Sequence, residues 1–78
     1  MGIAVARIVA RIRRMELGNL GDSKSLRGDL MEMRIDYGPG YRLYFVRRGA
    51  AVVVLLCGGN KRNQDRDIAL ALELAREV

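Results

Sequence analysis

The sequence predicts one small α+β domain: an N-terminal helix, a three-stranded antiparallel meander and a C-terminal helix, with the helices packed on one side of the sheet. Three observations predict it. Val5, Ile8, Val9, Ile12 and Met15 recur at helical spacing. Residues 31–57 alternate apolar with polar, then run apolar, between glycine-rich breaks. Ile68, Ala71, Leu72 and Ala75 form a second helical stripe.

The first helix is expected over Ile3–Leu17, with Gly18 as its stop. Arg7, Arg11 and Arg14 lie opposite its apolar stripe and Arg13 at the edge. That face reads as solvated arginines on a core-facing helix, with a phosphate-binding or anionic-membrane face as the alternatives. Asn19–Asp29 reads as a polar loop, because glycine, serine and aspartate crowd it. Lys24 and Arg27 could reach phosphate from there.

The meander spans Met31–Lys61. Its first strand puts Met31, Met33, Ile35 and Tyr37 on one face and Glu32, Arg34 and Asp36 on the other. Gly38-Pro39-Gly40 makes the turn. The second strand turns Tyr41, Leu43 and Phe45 to the apolar face and Arg42, Tyr44 and Val46 to the opposite one. One sheet face is therefore expected to be polar and mainly cationic, carrying Glu32, Arg34, Asp36, Arg42 and Tyr44. Residues 47–50 form the second turn. The third strand, Ala51–Cys57, is apolar throughout and reads as a central strand covered on both faces. Gly58-Gly59-Asn60-Lys61-Arg62 follows as a loop whose amides and cations could hold an anion, although it lacks P-loop spacing. The second helix begins near Asp65, with Asp65 or Asp67 at the positive end of its dipole; Leu70 and Leu74 widen its stripe.

Composition narrows the chemistry. The chain has 78 residues, a formal net charge of +5 and a pI near 10.1, with twelve arginines against two lysines. A small arginine-rich domain fits a nucleic-acid partner, beside the plainer reading of a basic soluble surface. Hydrophobic residues make up 50% of it, enough for a core. There is no histidine, so neither a histidine-ligated metal nor a histidine acid–base catalyst is expected, and no cofactor is implied. The lone cysteine, Cys57, reads as an inert buried thiol and points to a reducing, cytoplasmic home. No apolar run is long enough to cross a membrane, and Arg7 interrupts the N-terminus too early for a signal peptide.

The run Glu32–Phe45, EMRIDYGPGYRLYF, resembles the signature of the RelE/ParE toxin superfamily, in the HigB-like branch of addiction-module killer proteins. Leu17–Lys24 (LGNLGDSK) is similar to that branch's linker, Val53–Lys61 (VVLLCGGNK) to its last strand and loop, and Gln64 with Asp67-Ile68 to the start of its final helix. On this resemblance the chain begins near the family's second helix and lacks its first strand and helix. Asn60 stands where the branch usually has aspartate.

The resemblance implies the toxin half of a type II toxin–antitoxin pair. RelE-like members cleave messenger RNA on the ribosome, ParE-like members poison gyrase, and an antitoxin silences either. Metal-independent RNA cleavage by the 2′-hydroxyl needs a base, a cation for the phosphorane charge and an acid for the leaving oxygen. Arg42 matches the family's Y-R motif, and Lys61 with Arg62 its closing basic pair. Arg34 shares Arg42's face, and Tyr44 could donate a proton or stack on a base. Lys61, Asp36 and Glu32 all remain open as the base. Lys24 and Arg27 would add RNA contacts. A shortened relic that binds RNA or antitoxin without cutting, and a gyrase poison, are the competing readings. An open sheet edge is expected to recruit a second copy or the antitoxin.

Overall fold

A computed structural model describes residues 2–49 and 52–78. Helix α1 (Ile3–Glu16) leads into four strands: β1 (Ser23–Arg27), β2 (Leu30–Ile35), β3 (Tyr41–Arg48) and β4 (Val52–Asn60). A 3₁₀ turn (Lys61–Asn63) then enters helix α2 (Gln64–Ala75). The sheet is antiparallel throughout, in the order β1-β2-β3-β4. The α+β class and both helices stand as expected. The strand count does not: there are four strands, not three.

The additional strand is β1, inside the stretch expected to be a loop. Gly28 and Asp29 close a two-residue turn between the paired residues Arg27 and Leu30, with Gly28 at φ 59°. A glycine at the first central position suits this tight hairpin, because L side chains resist that backbone. Lys24 and Arg27 therefore sit on an edge strand. Their charge, with the register shift between Ser25 and Arg27, keeps that edge from templating another strand.

The helices pack on opposite faces of the sheet, not on one. Under α1 lies a core of Met15, Met33, Ile35, Leu43 and Phe45, flanked by Ile8, Ile12 and Leu20. Under α2 lies a second core of Leu30, Tyr44, Val46 and Ala71, flanked by Ile68, Leu72 and Ala75. The reason is visible in the strands. Leu30 and Val46 are apolar, directly paired and on the same face as Glu32 and Tyr44, so that face needs cover as well.

β3 is buried on both faces, with Leu43, Tyr44, Phe45 and Val46 all enclosed, and β2 is too, through Leu30 and Glu32 on one face and Met33 and Ile35 on the other. β4, expected to be central, is an edge. Leu55 lies opposite Phe45 there yet is 46% exposed. A register shift between Tyr44 and Phe45 makes Leu56 an extra residue, and Leu56 and Cys57 both pack towards α2. Ala50 of the expected second turn and Ala51 of the expected third strand lie outside the described residues. Among the described residues, no helix is long and apolar enough to cross a membrane.

The arginine face of α1 is solvated as expected at Arg7, Arg13 and Arg14, while Arg11 is half-buried. Arg11 donates through Nη1 to the Arg34 carbonyl at 2.9 Å, and Arg7 lies 4.7 Å from the centre of the Tyr37 ring. They tie α1 to the end of β2. Arg48 ties the other end of the sheet to α2, pairing with Asp29 and donating to the Val78 carbonyl at 3.2 Å.

Candidate functional site

Strand register sets out the α2 face of the sheet in rows. Leu30, Val46 and Val54 make one row; Lys24, Glu32, Tyr44 and Cys57 the next; Arg34, Arg42 and Gly59 the last. α2 covers the first row and the inner part of the second. The third row stays open at the rim, beside the Gly38–Gly40 turn, and a depression of about 430 Å³ lies there. Arg34, Arg42 and Lys61 line it, with Asp22 and Asp36.

Lys61 reaches this depression because the two turns are tied together. Its N–H donates to the Gly40 carbonyl at 2.9 Å, and Gly40 sits at φ 82°, where a side chain would be strained. Asn60 then starts the 3₁₀ turn: its Oδ1 accepts from the Arg62 N–H at 2.9 Å. An amide suffices for that cap, which accounts for asparagine at this position without any charge. Arg62 is exposed beside Lys61 on the neighbouring surface, where it lines a shallower depression with Gln64 and Asp65. Lys61 stands at the junction of the two.

Three cations thus face two carboxylates, but not evenly. Arg34 is paired with Asp22 at 3.1 Å, and that hydrogen bond and charge raise the Arg34 pKa above its ordinary value. Arg42 and Lys61 have no ion-pair partner among the described residues. Arg34 and Arg42 lie directly opposite one another, an arrangement that repels unless an anion joins them. Desolvation adds to this: Arg42 Nε is buried with no hydrogen-bond partner. The site can therefore accept a phosphate between Arg42, Lys61 and the outer side of Arg34.

Two expected features do not belong to an open site. Tyr44 is fully enclosed between the sheet and α2, so it presents no ring for a base to stack on. Burial, then the charges of Glu32 and Asp67, push its phenol well above the ordinary range, so it stays protonated. Gly58 and Gly59 form no anion-binding loop either. Both are in β4, opposite Leu43 and Arg42. At Gly59 a Cβ would overlap the Asp67 carboxylate, whose Cγ would be 2.9 Å away, so the Asp67 side chain would have to shift to admit it. Gly59→Ala should destabilise the fold by about 1–3 kcal/mol. Adding Asp67→Ala should recover part of that loss in thermal melts. An unchanged melting temperature for Gly59→Ala would show that Asp67 is not held over β4.

Lys24 is exposed one row away from Arg34, on the edge strand, and Arg27 is exposed at the opposite end of the sheet from the Gly38–Gly40 turn. The structure therefore joins Arg34, Arg42 and Lys61, sets Arg62 and Lys24 on the periphery, and leaves Arg27 apart. Cys57 is half-buried, its thiol donating to the Asp67 carbonyl at 3.5 Å, as an inert packing thiol would. Sequence reasoning missed Asp22, because its segment read as loop. The signal was the Gly28-Asp29 turn after an alternating S-K-S-L-R. It also gave no role to Gln64, whose Nε2 donates to the buried Glu32 Oε2 at 2.8 Å.

Comparison with known proteins gives one informative relative. The chain is 49% identical over 75 residues to a Haemophilus influenzae protein described as uncharacterized, covering 96% of this chain and 76% of that protein. No protein-family model matches the chain. No solved structure matches it either.

Proposed function

The chain belongs to the family of the uncharacterized Haemophilus influenzae protein, and we propose that it is the toxin of a type II toxin–antitoxin pair, a metal-independent ribonuclease acting on ribosome-bound messenger RNA. The observation that carries this reading is the convergence of Arg34, Arg42 and Lys61, from three separate segments, on one open depression. The resemblance of Glu32–Phe45 and Val53–Lys61 to RelE-like toxins supplies the reaction class.

In this reading the scissile phosphate lies on Arg42, which like Lys61 has no ion-pair partner among the described residues, and Lys61 approaches from the adjoining turn. The 2′-oxygen bonds to phosphorus, its proton passes to a base, and the 5′-oxygen leaves with a proton from an acid. The products are a 2′,3′-cyclic phosphate and a 5′-hydroxyl. Arg42 stabilises the charge that builds on the phosphorane oxygens. Arginine keeps its proton, so acid and base fall to Lys61 and Asp36, the titratable groups in the depression outside the Asp22–Arg34 pair. The uncharged β4 edge is where a second copy or an antitoxin strand would add.

The enclosure of Glu32 and Tyr44 favours a second reading, in which the chain binds RNA or antitoxin without cutting it, because it leaves few groups for proton transfer. One experiment separates the two. The chain and its Arg42→Ala variant are induced in a bacterial host at matched levels, with new messenger RNA 5′ ends mapped. Growth arrest with new ends from the parent alone is the expected result. Arrest without new ends would reject the nuclease, with DNA breaks then marking a gyrase poison. A soluble parent that causes no arrest would favour binding without cleavage.

A further inference from the structure

Beneath the open row lies a set of buried polar atoms that the proposed chemistry does not use. Glu32 is fully buried. Its Oε2 accepts from Gln64 Nε2 at 2.8 Å, while its Oε1 is buried without a partner. Arg42 Nε and the Tyr44 hydroxyl are likewise buried and unpartnered. All three residues share one sheet face. Glu32 is directly opposite Tyr44, and Arg42 is the next residue along β3 on that face. Diagonal neighbours of this kind have Cα atoms about 7–8 Å apart, within reach of a glutamate and an arginine.

A buried carboxylate is costly, and leaving one oxygen unpaired makes it more so. Packing alone would be served better by an apolar residue, as Leu30 serves on the same strand. Gln64 fixes one carboxylate oxygen from the first turn of α2. The other oxygen is left for β3, which offers the Tyr44 hydroxyl and Arg42 Nε as donors on that face. We propose that Glu32 is the positioning residue for Arg42: neither Glu32 Oε1 nor Arg42 Nε has a partner in the free chain, and when a phosphate binds Arg42 the Glu32 Oε1 accepts the Arg42 Nε–H, which leaves both Nη nitrogens to grip the phosphate side by side. The guanidinium is thereby divided between a fixed carboxylate behind it and the ligand in front. Gln64 holds the carboxylate, so the start of α2 sets the angle at which Arg42 meets the phosphate.

This inference rests on the reading of Arg42 as a phosphate ligand, and a double-mutant cycle separates the two claims. The probe is a short fluorescent RNA bearing 2′-O-methyl groups, which binds without being cut, followed by anisotropy. Arg42→Ala should weaken binding about tenfold. Glu32→Gln, which can still accept from Gln64, should weaken it about three- to tenfold. The double variant should bind no worse than Arg42→Ala alone. Glu32→Gln acting equally in both backgrounds, or not at all, would overturn the positioning role and leave the phosphate role of Arg42 intact. No effect of Arg42→Ala would instead remove the reading beneath it. Should Glu32→Gln fail to fold, the unsubstituted chain with RNA decides by nitrogen-15 NMR. One slowly exchanging arginine Nε–H, lost in Arg42→Lys, is expected, and its absence counts against the proposal.

Discussion

Phe45→Ala should be among the most damaging single truncations in this chain, costing about 3–5 kcal/mol of stability. Phe45 is fully buried at the centre of the α1 core, packed with Met15, Met33, Ile35 and Leu43. The cost combines lost transfer free energy with the cavity left behind. A chain of this length has about 4–12 kcal/mol in total. Collapse into the cavity is restrained, because β3 is hydrogen-bonded on both sides and its neighbours Tyr44 and Val46 are held in the opposite core. Leu55→Ala is the matched control. Leu55 pairs with Phe45 across β3 and β4 but is 46% exposed, so its truncation should cost no more than about 1 kcal/mol. Urea titrations followed by circular dichroism would compare them. Equal losses would mean that the core is not centred on β3.

The contrast between those two residues also shows what could be read from the sequence. Period-two alternation placed Phe45 and Leu43 with Met33 and Ile35, and the structure joins these four in one core. Helical spacing placed Ile68, Ala71, Leu72 and Ala75 on one stripe, and all four pack on the sheet. Periodicity, however, says which side chains share a face and not what covers that face. Glu32 and Tyr44 looked like surface groups, and only the arrival of α2 over Leu30 and Val46 buries them. An apolar run likewise cannot declare its place in the sheet, so β4 read as central although it is an edge. β1 was missed because an edge strand needs little apolar surface: Ser23, Lys24, Ser25 and Arg27 are as polar as a loop, and only the turn after them shows pairing. At the candidate site, Arg34 and Arg42 were legible from the alternation. The pairing of Arg34 with Asp22 was not, because it depends on where β1 lies.

Tyr44 should make the fold lose stability in alkali. Burial first, then Glu32 and Asp67, raise the pKa of its phenol in the folded chain. Burial first, then Asp67, raises that of the Cys57 thiol. Both groups are neutral when protonated, so the fold holds its protons to higher pH than the unfolded chain does. Stability is therefore unaffected by them below their unfolded values, about 8.5 for a cysteine and 10 for a tyrosine. Above those values the unfolded chain binds fewer protons, and stability falls as pH rises, by up to about 1.4 kcal/mol per pH unit for each group. Tyr44→Phe keeps the ring and removes one group. It also removes a buried hydroxyl that has no partner, so at neutral pH its melting temperature should match or slightly exceed the parent's. Between about pH 10 and 11 the parent should lose stability faster than the variant, the thiol being common to both. Melting curves across that range provide the check. Parallel declines would mean that the Tyr44 phenol ionises as readily inside the fold as outside it, and that the α2 face is open to water.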